Sequence, residues 1–147
     1  MKKSYRTGKY TPRNPDKYVG DLNEITYRSS WELTCFQFFD SNPNILKWAS
    51  EPFPIQYIKP TDRKLHKYWV DFWVKYKDRH GQIIQEILEI KPMNQIKLQE
   101  GRKHSNTTLA THAINMAKWA AAKQWAAAHN ITFRLVPGEA IFKQLGT

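Results

Sequence analysis

Asp71, Glu89 and Lys91 are the residues of this chain whose types and spacing most readily do chemistry together. Residues two apart on a β-strand point the same way, so an extended stretch over 82–91 puts Glu89 and Lys91 on one face. Ile84, Leu88 and Ile90 then share the opposite face, which is apolar except for Glu86 and is expected to be largely buried. In the preceding aromatic-rich stretch, Val70, Phe72 and Val74 form an apolar face, with Asp71 on the other side between Trp69 and Trp73. Two carboxylates are hard oxygen ligands for Mg²⁺, and the carbonyl of Ile90 can add a third. Such an ion polarises a phosphodiester and lowers the pKa of a bound water. Lys91 can orient that water or stabilise charge on the pentavalent phosphorus. The plainer reading is a surface Glu–Lys ion pair worth at most about 1 kcal/mol, with Asp71 an ordinary edge-strand acid.

Strand register decides whether the two acids meet. Lys67–Lys77, rich in Tyr, Trp, Val and Phe, reads as one strand, and Gln82–Lys91 as the next, stopped by Pro92. A loop of Arg79, His80 and Gly81, with the glycine in the left-handed conformation, pairs Asp78 with Gln82 and sets Asp71 opposite Glu89. A loop one residue longer sets Asp71 opposite Leu88. The shorter loop is expected, because it puts apolar faces together and acids together.

The elements around this hairpin follow from pattern and punctuation. Residues 29–40 read as a helix with Trp31, Leu33, Cys35, Phe36, Phe38 and Phe39 as a wide apolar surface, ended by Asn42-Pro43. Ser29 and Glu32 have capping-box spacing. Ile45–Ala49 and Phe53–Lys59 are candidate strands. Residues 107–129 read as a long Ala-rich helix capped by Thr107 or Asn106 and ended by His129-Asn130. Ile131–Val136 is a last strand, Pro137-Gly138 a turn, and a short helix closes the chain. On the long helix Asn115, Lys118, Ala122, Trp125 and His129 fall on one stripe. Lys118 either reaches a phosphate or belongs to an exposed polar stripe, while Trp119 and Trp125 are expected to pack.

Composition limits the classes. With 147 residues and 41% hydrophobic content, the chain makes one domain with a real core. Its 23 Lys and Arg against 13 Asp and Glu give a formal charge of +10, which favours polyanions through counterion release. The cations concentrate at the ends. Lys2, Lys3, Arg6, Lys9, Arg13 and Lys17 oppose only Asp16 in residues 1–20. That segment, with Gly8, Pro12, Pro15, Gly20 and three tyrosines, reads as a basic flexible arm. It either tracks a nucleic-acid strand or merely aids solubility. A single cysteine, Cys35, excludes an internal disulfide and is expected to pack. No apolar run approaches the ~20 residues that span a bilayer, so no membrane association is expected. Five His, only His104 and His112 loosely spaced, argue against zinc, and no Gly-rich phosphate loop is present.

Val70-Asp71 followed by Glu89-Ile90-Lys91 resembles the PD-(D/E)XK nuclease superfamily, in which an acid on one hairpin strand precedes acid-x-lysine on the next. Val70 stands where that family usually has proline. The segments Gly8-Lys9-Tyr10, Gly20-Asp21-Leu22, 25–33, Glu89-Ile90-Lys91-Pro92 and 115–119 are similar to the head-completion nucleases of tailed bacteriophages. Transposon end-cleaving endonucleases and phage junction resolvases share the core pattern.

The resemblance implies an α/β fold with a restriction-endonuclease-like core, a central mixed β-sheet flanked by helices. It implies one nuclease domain over 21–147, following the basic arm of residues 1–20. It also implies a Mg²⁺-dependent DNA endonuclease, with Mn²⁺ a substitute, that trims DNA ends as a packaged head matures. Glu32 matches a helix glutamate that joins the metal site in such relatives, and the capping box is its rival explanation; Glu51 is a weaker candidate. Lys2, Lys3, Arg6, Lys9, Arg13 and Lys118 are the expected DNA contacts. DNA and phage head or neck proteins are the expected partners, a homodimer is one expected state, and the infected host's cytoplasm or the virion is the expected place. The competing functions are a structural DNA-binding or connector protein without catalysis, and a junction resolvase.

Overall fold

A computed structural model describes residues 7–140. Short strands β1 (Gly8–Lys9) and β2 (Thr26–Tyr27) pair antiparallel ahead of helix α1 (Ser30–Ser41). Strands β3 (Ile45–Ser50), β4 (Pro54–Ile58), β5 (Leu65–Trp69), β6 (Phe72–Lys77) and β7 (Ile83–Lys91) follow in succession, with β4 and β5 forming a two-stranded sheet of their own. A single turn, α2 (Met93–Ile96), and the long helix α3 (Asn106–Ala128) lead to β8 (Thr132–Pro137). The central sheet has the order β3-β6-β7-β8, antiparallel except for the parallel β7–β8 pair. It is the expected mixed α/β architecture.

Each face of the sheet carries its own core, because strand residues alternate sides. On one face Phe36 and Phe39 of α1 pack with Trp48, Phe72, Val74, Leu88 and Val136. On the other, Trp119, Ala122 and Ala126 of α3 pack with Ile87 and Val70, and with Ile55, Tyr57 and Tyr68. Trp119 therefore packs as expected, and Trp125 lies against Phe53 with ring centroids 4.3 Å apart. Cys35 is fully buried, and burial pushes its thiol well above the ordinary range.

The stretch expected as one strand over 67–77 is two strands, β5 and β6, which belong to different sheets. The register explains the break. Ser50 pairs with Phe72, but Pro54 pairs with Trp69, so residues 51–53 oppose only residues 70 and 71. One extra residue on one strand bends and twists a ladder. Glu51 takes a positive φ of 46° at this corner, and its N–H bonds to the carbonyl of Asp71 at 2.9 Å. The bend also divides the expected apolar face: Phe72 and Val74 join the α1 core, while Val70 joins the α3 core.

Residues 7–20 are packed and do not form an arm. Tyr10 and Tyr18 lie against Trp48, with centroids 6.2 and 4.7 Å from its ring. Asp40, 2% exposed, accepts hydrogen bonds from the Tyr10 hydroxyl (2.7 Å) and the backbone N–H groups of Arg13 (2.7 Å) and Asn14 (3.0 Å). Lys17 Nζ donates to the carbonyls of Asp40 and Asn42. Tyrosines with cations read as a solvated tail only while Asp40, more than twenty residues away, is out of view. The start of the long helix also differs: Ser105, not Thr107 or Asn106, is its cap, accepting from the Thr108 N–H at 3.1 Å. Most of the expected closing helix lies outside the described residues. No helix among the described residues is long and apolar enough to cross a membrane.

Candidate active site

The β6–β7 turn has the shorter loop. Asp78 N–H bonds to the Gln82 carbonyl at 2.9 Å, Gly81 has φ +78°, and Lys77 pairs with Ile83. Phe72 pairs with Leu88, so the next residues outward, Asp71 and Glu89, face each other. Asp71 stands at the corner, one residue before β6, where the chain leaves one sheet for the other. Its carboxylate accepts from the Ile90 N–H at 2.8 Å.

Glu89 is 5% exposed and lies on the α3 side with Ile87. The buried Tyr68 hydroxyl donates to it at 3.0 Å. Lys91 Nζ lies 3.6 Å from its other oxygen. Lys118 reaches the same place from α3, with its ammonium 5.6 Å from the Tyr68 ring centroid and 5.9 Å from that of Tyr57. A cation over an aromatic face is stabilised by the ring quadrupole, so Lys118 is held here and not on an exposed stripe.

The electrostatics are those of a desolvated acid pair ringed by cations. Burial and then the charge of Glu89 push the Asp71 carboxyl well above the usual carboxylate range; the Ile90 N–H opposes this, Glu32 adds to it and Lys91 opposes it. Burial pushes Glu89 up against the pull of Lys91, the Tyr68 hydroxyl and Lys118. Burial and the charge of Lys91 pull the Lys118 ammonium down, and Glu89 holds it up.

Glu32 makes the capping contacts expected of it. Ser29 Oγ caps α1 through the Glu32 N–H at 3.1 Å, and the Glu32 carboxylate reaches back to the Arg28 N–H at 3.0 Å. The box closes one residue earlier than its usual form. Glu32 is also near enough for its charge to raise Asp71. Glu51, at the same corner, is ion-paired with Arg28. Lys9 and Arg13, two further expected DNA contacts, lie in other parts of the fold. Lys9 pairs with Glu24 at 3.2 Å across β1 and the turn before β2, and Arg13 sits in the segment tied to Asp40. Lys2, Lys3 and Arg6 lie outside the described residues.

Among the described residues no group of three or more His, Cys, Asp and Glu side chains is arranged to hold a metal ion. Asp71 and Glu89 are a pair, and their donor set still suits a hard divalent cation. Two buried carboxylates, with the charge of Glu89 raising Asp71, are relieved by an ion of opposite charge. Tyr68 is the site residue that sequence reasoning missed. It is one aromatic among several in 66–77, and only the fold turns its hydroxyl to Glu89.

Residues 42–137 match the family model described as the TnsA-like endonuclease N-terminal domain. The chain is also 36% identical over 138 residues to the head completion nuclease of Enterobacteria phage T4, covering 88% of this chain and 89% of that protein. With the mixed sheet, the two flanking helices and the acidic corner, these matches show that the chain belongs to the TnsA-like endonucleases of restriction-endonuclease-like fold.

Proposed function

We propose that this chain is a divalent-metal-dependent DNA endonuclease that trims DNA ends as a phage head is completed after packaging, in the cytoplasm of the infected host. The observation that carries the chemistry is the hairpin register, which sets Asp71 beside Glu89 with Lys91 two residues on. Asp71, Glu89 and the Ile90 carbonyl would hold Mg²⁺, with Glu32 in support. When bound, such an ion supplies Lewis-acid activation of the phosphodiester and a more acidic water. Lys91 and Lys118 bring positive charge to the phosphorane, where fixed charge in a dry site lowers the barrier most. Tyr68 fixes the Glu89 carboxylate through one oxygen. The role in head completion comes from the similarity to the T4 protein and its name.

The test is nicking of supercoiled plasmid with Mg²⁺ or EDTA, for the natural protein, Glu89→Ala and Lys91→Ala. Metal-dependent nicking that falls at least about a hundredfold in both variants is expected. Equal DNA binding by all three with no cleavage in any metal would instead favour a structural protein of the phage head. Strong preference for branched over linear DNA, with a dimer, would favour a junction resolvase.

A further inference from the structure

We propose that a polar cavity between α2 and α3 takes one unpaired nucleobase next to the phosphodiester that is cut, so that the enzyme favours single-stranded or frayed DNA ends over continuous duplex. This rests on the nuclease reading above. The cavity has a volume of about 250 Å³ and is lined by Asn94 and Gln95 of α2 and by Thr108, Thr111, His112 and Asn115 of α3, among others. Asn115 is a buried polar residue, 7% exposed. His112 Nδ1 is buried with no hydrogen-bond partner among the described residues. Buried polar atoms are ordinarily paired, so this lining residue carries an unmet hydrogen-bonding capacity.

Position links the cavity to the site. Its α2 wall begins directly after Lys91-Pro92. On the α3 wall His112, Asn115 and Lys118 follow at helical spacing, so Asn115 lies about 4.5 Å and His112 about 9 Å along the axis from Lys118. Stacked nucleotides rise about 3.4 Å each, so the cavity stands roughly one to three steps from a phosphate at Lys118.

The chemistry favours a base over a phosphate. None of the described lining residues is charged. Amides, hydroxyls and an imidazole supply the mixed donors and acceptors that a base edge presents. Leu98 is the apolar side chain among the lining residues, and it suits the flat face of a base. The volume is below the ~300–1,000 Å³ of drug-sized ligand sites, which fits a single ring system. Lys97, Arg102 and Lys103, exposed between α2 and α3, are placed to follow the backbone. A base enters only if unpaired, and unpairing costs least at an end or in a single strand.

The test measures binding by fluorescence anisotropy in EDTA, so that cleavage plays no part. Short single strands of one sequence carry one abasic nucleotide, moved along the strand. With the natural protein, the abasic nucleotide should weaken binding about tenfold at one position and little elsewhere. Asn115→Leu should weaken the intact strand about tenfold and show no further loss at that position. A uniform abasic penalty, or the same positional penalty in Asn115→Leu, would overturn the proposal. As a second measurement on the natural protein, 2-aminopurine at the sensitive position should change its emission on binding, and unchanged emission at every position would also overturn it. Plasmid nicking reads the nuclease itself, so the pocket can fail while the nuclease stands.

Discussion

The Asp71 carboxylate accepts its hydrogen bond from the N–H of Ile90, the residue between Glu89 and Lys91. This bond fastens the corner where β5 gives way to β6 onto the end of β7. It holds the two acids together past the last paired residues, Phe72 and Leu88. Two like charges held side by side repel one another. A cation held between the two acids would relieve that repulsion.

Mg²⁺ should raise the melting temperature of the natural protein by a few degrees, since a ligand at a hundred times its Kd adds about 2.7 kcal/mol. Asp71→Asn and Glu89→Gln should abolish that shift. Asn keeps an acceptor for the Ile90 N–H, so Asp71→Asn should fold. Differential scanning fluorimetry across a Mg²⁺ series checks this, and an equal shift in all three proteins would count against these ligands.

Tyr68→Phe retains the buried ring and removes the hydroxyl that bonds Glu89. Cleavage should fall about tenfold, the scale of one hydrogen bond to a charged group, with the melting temperature little changed. Lys118→Met keeps the stem over Tyr57 and Tyr68 and removes the charge. It should cost more, about a hundredfold, because it acts on charge formed in the transition state. Single-turnover cleavage separates the two effects.

Acid should unfold the protein partly through Asp40. Burial pushes its carboxyl up, but hydrogen bonds from Tyr10, Arg13 and Asn14 outweigh burial and leave it below the ordinary carboxylate range. A depressed pKa gives stability that is fully present above the unfolded value of about 3.9 and is lost as pH falls through the folded value. Asp40→Asn should flatten the acid limb of stability against pH. Asp40→Ala should cost about 3 kcal/mol near neutral pH, because it strands buried donors. Urea melts at a series of pH values measure both.

Glu86 and Arg134 join β7 to β8 with a 2.8 Å bond, with the Glu86 side chain 9% exposed. Arg134→Met alone should destabilise by about 3 kcal/mol, because it leaves the buried Glu86 carboxylate without its cation. Glu86→Leu with Arg134→Met should recover most of that loss. A double-mutant cycle by urea denaturation gives the coupling, and simple additivity would show that the pair does not act as a unit.

Much of the centre of this molecule was legible in the order of its residues. The Gly81 turn fixes a hairpin register through local backbone geometry, and from that register Asp71, Glu89 and Lys91 follow by counting. The apolar surface of α1 and the Ala-rich run of α3 report helices because periodicity is a local property. The excess of basic residues and the lone cysteine are likewise visible without coordinates.

Long-range pairing decided the rest. The strand break at Val70-Asp71 depends on an extra residue opposite it, around Glu51, and no signal within 67–77 marks it. The packing of residues 7–20 depends on Asp40, and the place of Lys118 depends on two aromatic rings of the β4–β5 hairpin. A tyrosine that packs and a tyrosine that donates to Glu89 are the same letter. Side-chain type and short spacing are written in the chain, but which buried acid a hydroxyl or an ammonium meets is set by the packing of segments far apart in it.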